Sequence, residues 1–186
     1  MSKTKIAIFL ATGFEEIEAI SSIDVLRRAE FDVQIISVTD NLTVKGNHNI
    51  QVVADKLINE VDLSSFDGLV LPGGQPGVSN LMEVSLLRDA LIKQAGENKL
   101  IAAICAAPQM LGMLGLADGK EVTHYPGAIE YLDKAIKKPQ MAAVEDGKII
   151  TGSSPGGAIQ FALQIVDHFT DTQNMLRIHE LLVMNY

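Results

Sequence analysis

The sequence predicts an α/β fold, a mainly parallel central sheet with helices on both faces. Three observations carry the prediction. Short continuous apolar runs alternate with helix-patterned stretches along the chain. The runs are rich in Val, Ile, Leu and Ala rather than aromatic residues. No Pro/Gly/Ser-rich linker, low-complexity tract or internal repeat interrupts the alternation. With 186 residues, 47% of them hydrophobic and none Trp, the chain suits a single domain over residues 1–186, long enough to bury a substantial aliphatic core.

Taken in order, Lys5–Leu10 reads as a first core strand, too short for a signal h-region or a membrane span. Glu15–Glu30 places Ile17, Ile20, Val25 and Leu26 at helical spacing, with charges on the other side. Val33–Val38 is a second strand, and Leu42–Val53 a β excursion turning at Lys45-Gly46-Asn47. Gly68–Leu71 is a buried strand that ends in Pro72-Gly73-Gly74-Gln75-Pro76-Gly77, and a helical stretch then runs to about Gly96. Leu100–Ile104 is the next strand, followed by a helix to Leu116. Ala142–Glu145 and Lys148–Thr151, joined by Asp146-Gly147, form a hairpin. Pro155–Phe169 is an apolar helix opened by Pro and Gly, and Thr172–Met184 a last amphipathic one.

Composition excludes some functions. A net charge of −8 argues against nucleic acid or an anionic membrane surface as the main partner. One cysteine makes no intrachain disulfide, so a reducing, cytoplasmic setting is the simple expectation.

In a parallel sheet covered on both faces, ligands bind beyond the C-terminal ends of the strands. Thr12–Glu18, Pro72–Gly77 and Cys105–Ala107 each follow a predicted strand, so all three segments belong on one rim. Cys105 stands in Ala103-Ile104-Cys105-Ala106-Ala107, a small-x-Cys-x-small turn like the thiol counterpart of a nucleophile elbow. The N–H groups of the following helix are expected to stabilise its thiolate and lower the thiol pKa. The plain alternative is a small buried core residue. Glu15 is expected as an exposed acid complementing the helix dipole, and Glu16 is open between that and a place on the rim. Glu18 projects into the cleft, where desolvation would keep it protonated, able to donate to sulfur and to shuttle a proton. Gly73 and Gly74 let a bare backbone approach a substrate, and an N–H there with that of Ala106 makes a two-donor oxyanion hole. His124 invites a Cys–His pairing, whereas His48, in Gly46-Asn47-His48-Asn49, reads first as a solvated loop residue. His168 and His179 read as ordinary surface or packing residues on the terminal helices. No histidine pair, or histidine with cysteine, has metal-ligand spacing, so no metal is expected.

Together, Gly13-Phe14-Glu15-Glu16-Ile17-Glu18-Ala19, Asp24-Val25-Leu26-Arg27-Arg28-Ala29, Leu71-Pro72-Gly73-Gly74, Ile101 through Pro108 and Thr151-Gly152-Ser153-Ser154-Pro155-Gly156 resemble the ThiJ/PfpI family, in order and spacing across nearly the whole chain. Within the class I glutamine-amidotransferase-like superfamily, the resemblance is to the branch of the parkinsonism-associated protein deglycase. It implies a flavodoxin-like sandwich, Cys105 as a nucleophile on strained backbone, Glu18 as its protonated partner, and Gly74 and Ala106 as oxyanion donors. It also implies a homodimer with the first helix and Arg28 near the partner's site. Many members carry His directly before the proline of the Thr-x-x-Pro segment, where this chain has Tyr125 and the histidine, His124, stands one residue earlier. Neighbours on an extended segment face opposite ways, so Tyr125 is expected toward the cleft and His124 is not expected to be the base. His124, His48 and Arg28 stay secondary site candidates.

The implied activity is cofactor-independent chemistry on small α-oxoaldehydes or early glycation adducts, of the glyoxalase or deglycase kind, releasing lactate or glycolate. The alternative is a non-catalytic redox sensor or stress-protective, chaperone-like protein in which Cys105 is oxidised. Two related enzymes fit less well. A PfpI-type peptidase has His directly after the cysteine, where this chain has Ala106, and a glutamine amidotransferase needs a downstream His-x-Glu, whereas His179 and Glu180 are adjacent.

Overall fold

A computed structural model describes residues 3–184. The elements run β1 (Lys5–Leu10), α1 (Glu16–Arg28), β2 (Asp32–Ser37), β3 (Thr43–Lys45), β4 (Gln51–Val53), β5 (Lys56–Leu57), β6 (Gly68–Leu71), α2 (Gly77–Glu83), α3 (Ser85–Gly96), β7 (Leu100–Ile104), α4 (Pro108–Met113), β8 (Glu121–Val122), β9 (Ile136–Lys137), β10 (Ala143–Asp146), β11 (Ile149–Gly152), α5 (Ala158–Phe169) and α6 (Thr172–Leu181). Seven strands form one sheet in the order β10-β11-β7-β6-β1-β2-β5. Every pairing in it is parallel except the β10–β11 hairpin.

The strands are apolar on both faces because both faces are covered. In β1, Ile6, Ile8 and Leu10 join one core with Leu26 of α1 and Phe161 and Val166 of α5. Ala7 and Phe9 join the other with Val78 of α2, Leu91 of α3 and Met110 of α4. At about 25 cal/mol for each Å² of apolar surface removed from water, this two-sided burial is the main stabilising contribution. Phe31 and Phe169 meet edge to face at 5.8 Å where α1 hands over to β2. Among the described residues no helix is long and apolar enough to cross a membrane.

β1 lies between β2 and β6, and the chain moves outward from it in both directions. The loops after β1, β6 and β7 therefore gather beside a topological switch point, the rim expected from the sequence. α5 begins at Ala158, after a 3-10 turn at Pro155–Gly157, and α6 ends at Leu181 rather than Met184. Two helix boundaries differ further from expectation. The stretch to Gly96 is broken at Val84, which is extended (φ −81, ψ 101) and separates α2 from α3. The helix after Cys105 is short: residues 105–107 are a turn, and α4 spans 6 residues from Pro108. The excursion at Leu42–Val53 is the antiparallel β3–β4 hairpin, a two-stranded sheet of its own.

Candidate active site

β7 leads into Cys105, which adopts φ 66, a left-handed conformation strained for any residue with a Cβ. Two backbone hydrogen bonds hold it there, Cys105 N–H to Gly152 O at 2.9 Å and Tyr125 N–H to Cys105 O at 2.8 Å. The turn is thus tied to β11 on one side and to the Thr123–Pro126 segment on the other, and those neighbours fix it. The thiol is buried at the floor of a cleft of about 280 Å³ lined by Glu15, His48, Gly74, Cys105, Ala106 and Tyr125, among others. Hollows beside Arg88 and along α6, about 360 and 560 Å³, hold neither a cysteine nor a buried carboxyl.

Behind the thiol lies Glu18, from the first turn of α1, with no solvent exposure. Its Oε2 accepts the Gly73 N–H at 2.7 Å, while Oε1 is buried without a hydrogen-bond partner. A side chain at Gly73 would place its Cβ 2.7 Å from both Cys105 Cβ and Glu18 Oε2, so only glycine lets the β6 loop close over the pair. Burial pushes the Glu18 carboxyl up to about 7, against the Cys105 thiol and the Gly73 N–H, which pull it down.

The thiol is not lowered as the sequence suggested. Burial pushes it up, and an ionised Glu18 pushes it further by charge and hydrogen bonding, while the Ala106 and Gly74 N–H groups pull it down. The expected helix N-terminus is absent at sulfur, because α4 begins at Pro108, which has no N–H to offer. The two groups titrate as a pair. When the pair's proton rests on Glu18, the opposing charge is gone and the carboxyl gains an O–H to donate beside the thiol. That state favours thiolate.

Glu15 and Glu16 are both buried, unlike exposed helix-start acids. Glu15 is the N-cap of α1, its Oε2 accepting the Glu18 N–H at 2.8 Å. Glu16 reaches the β3–β4 hairpin and accepts the His48 backbone N–H at 2.6 Å, the Ile50 N–H at 3.4 Å and the His48 ring Nδ1–H at 2.9 Å. Burial raises its carboxyl, but these donors outweigh burial and hold it below the usual range. His48 keeps its side chain 66% exposed, but this pairing holds it at the mouth of the cleft. Sequence reading missed this pairing, since 32 residues separate the partners and only a polar Gly46–Asn49 turn marked the place.

Tyr125 lines the cleft, 47% exposed, and His124 turns inward, buried, with Nδ1 2.9 Å from Tyr125 O and Nε2 unpartnered. Arg28 pairs with Asp24 at 2.6 Å at the far end of α1, roughly 15 Å from Glu18 along the helix. His168 is buried against Glu145 at 2.7 Å, a packing histidine. Donor atoms of Glu15, Glu16 and His48 lie within 4.8 Å of one another, a grouping that sequence spacing does not reveal. Their oxygens already cap α1 and hold the hairpin, so hydrogen bonding accounts for the cluster.

Comparison with known proteins adds to this geometry. A model of the DJ-1/PfpI family matches residues 4–168. The chain is 36% identical to Protein DJ-1 homolog B of Arabidopsis thaliana over 98% of its own length, and spans 42% of that relative. It is 33% identical to the glutathione-independent glyoxalase DJR-1.2 of Caenorhabditis elegans, over 82% of this chain and 81% of that one. The crystal structure of Drosophila melanogaster DJ-1beta superposes with a TM-score of 0.94 at 35% identity, covering all of both chains.

Proposed function

This chain belongs to the DJ-1/PfpI family, and from that premise we propose that it is a cofactor-independent cysteine enzyme converting small α-oxoaldehydes to α-hydroxy acids. The observation that carries the reading is the buried pair of Cys105, on strained backbone, and Glu18, raised to about 7, at the floor of a cleft sized for a small molecule. The glyoxalase name of the Caenorhabditis elegans relative supports the substrate class.

With methylglyoxal, the Cys105 thiolate attacks the aldehyde carbon and forms a C–S bond. The resulting alkoxide is held by the Gly74 and Ala106 N–H groups and takes the proton of Glu18, giving a hemithioacetal. The Glu18 carboxylate then removes the hydrogen on that carbon and returns it to the neighbouring one, while the hydroxyl proton passes to the adjacent oxygen. The product is a lactoyl thioester on Cys105. Water cleaves it, the thiolate leaves, one of the water's protons returns to Glu18 and the other is released with lactate. The hydrogen stays within the substrate, so no redox cofactor is required. Tyr125 offers a phenol for hydrogen bonding to the substrate at the cleft wall.

A homodimer accompanies this reading. α1 presents Ile17 and Ile20, 56% and 44% exposed, and the hairpin bonded to it through Glu16 presents Ile50 and Val53. The test of the activity is release of lactate from methylglyoxal by wild type, by Cys105→Ala and by Glu18→Ala. Lactate from wild type alone is expected. Equal release by all three, or none from wild type, would overturn the assignment.

A further inference from the structure

Resting on the activity just proposed, a gap remains at the last step. Glu18 sits without exposure behind the sulfur, so it reaches the substrate carbons but not a water arriving from solvent. Hydrolysis of a thioester on Cys105 calls for a base at the cleft's open side. His48 lines the same cleft as Cys105, and its side chain is 66% exposed.

An exposed histidine is ordinarily a floppy one, but this one is clamped. The buried Glu16 carboxylate holds both its backbone N–H, at 2.6 Å, and its ring Nδ1, at 2.9 Å. A carboxylate that accepts the Nδ1–H fixes the tautomer and leaves the Nε2 lone pair free, the base-and-orienter arrangement seen wherever a histidine activates a nucleophile. We propose that His48 is the general base that activates water for release of the acyl group from Cys105, with Glu16 as its positioning residue.

The step balances. Nε2 takes a proton from water, the water oxygen bonds to the thioester carbon, and the C–S bond breaks with its electron pair on Cys105. The carboxylic acid formed returns its proton to Glu18, and the imidazolium loses the extra proton to solvent. Nothing is oxidised or reduced. Division of labour follows from burial: the hidden carboxyl moves protons on carbon, and the exposed imidazole handles water.

The test is trapping of the acyl enzyme. Wild type and His48→Gln are mixed with methylglyoxal, quenched in acid, denatured and treated with hydroxylamine, which converts a lactoyl thioester, but not a hemithioacetal, to lactohydroxamate. Wild type is expected to form lactate with little trapped acyl. His48→Gln keeps the backbone N–H that Glu16 holds, and should release lactate about 10²-fold more slowly while trapped acyl approaches one per Cys105. Free imidazole should speed release from His48→Gly. Glu16→Gln should trap acyl at an intermediate level with its rate of thioester formation unchanged. Unaltered turnover in His48→Gln, or slow turnover with no trapped acyl, would overturn the role of His48. Absence of lactate from wild type would instead overturn the reading of Cys105 beneath it.

Discussion

A carboxyl with no exposure must be either paired or protonated, and Glu18 has one donor for two oxygens. Its raised value, about 7 against 4.5 for an ordinary glutamate, ties stability to pH. Because the folded state holds this proton more tightly, the associated stability is complete below the unfolded value. It is lost as the unfolded chain ionises first and the folded pair follows at about 7. The loss totals about 3 kcal/mol. Glu18→Gln keeps an acceptor for Gly73 N–H and a donor toward sulfur without the titration. Chemical unfolding between about pH 5 and 7 should therefore show wild type losing stability relative to Glu18→Gln as pH rises. Parallel curves would show that the pair does not hold this proton. Glu18 was legible in the sequence because a helix position next to a strand end fixes where it points. Glu15 and Glu16 were not, since burial of an acid depends on a partner supplied from elsewhere in the chain. For Glu16 that partner is the β3–β4 hairpin.

The longer strands were read to within a residue or two because apolar runs between turn residues leave little choice of register. The two-residue strands β5, β8 and β9 carry no such run and went unread. Helix interiors were harder. Val84 breaks the stretch after β6 with no proline or glycine to mark it, and the tertiary fit of α2 and α3 onto the sheet decides the break. α4 stops at a local signal, Gly115 at φ 71, whose N–H donates to Gly112 O at 2.9 Å while the Leu116 N–H donates to Leu111 O at 2.8 Å. Its Gly112 faces the backbone of Tyr131, and a Cβ there would come within 2.7 Å of the Tyr131 carbonyl carbon. Helix propensity alone favours Gly112→Ala by up to about 1 kcal/mol. Overpacking against backbone costs about 1–3 kcal/mol, so the substitution should be net destabilising in denaturant titration. The strain would fall on the segment that runs back from Tyr131 to Tyr125 at the cleft. A variant more stable than wild type would mean that this segment yields freely and that α4 does not brace the cleft wall.

At the scale of the molecule, sheet order does most to assemble the site. Placing β1 between β2 and β6 brings three loops, far apart in sequence, to one rim, which strand direction alone allowed the sequence to foretell. What the sequence could not supply is the strained φ of Cys105, which exists only because Gly152 and Tyr125 grip its backbone from either side. The same architecture leaves Ile17 and Ile20 one turn apart on the outer face of α1, beside Ile50 and Val53. Covering that patch with a second copy must outweigh repulsion between chains of net charge −8, and a stable interface needs about 800 Å² from each partner. Replacing both Ile17 and Ile20 by Glu should desolvate four new charges in the dimer and none in the monomer. Sedimentation of the double variant is thus expected to give half the wild-type mass with an unchanged far-ultraviolet dichroism spectrum. A wild type that sediments as a monomer, or a double variant that still pairs, would remove α1 from the interface. In the first case the cleft would also have to do its chemistry with the groups of one chain alone, Arg28 standing too far along the helix to contribute.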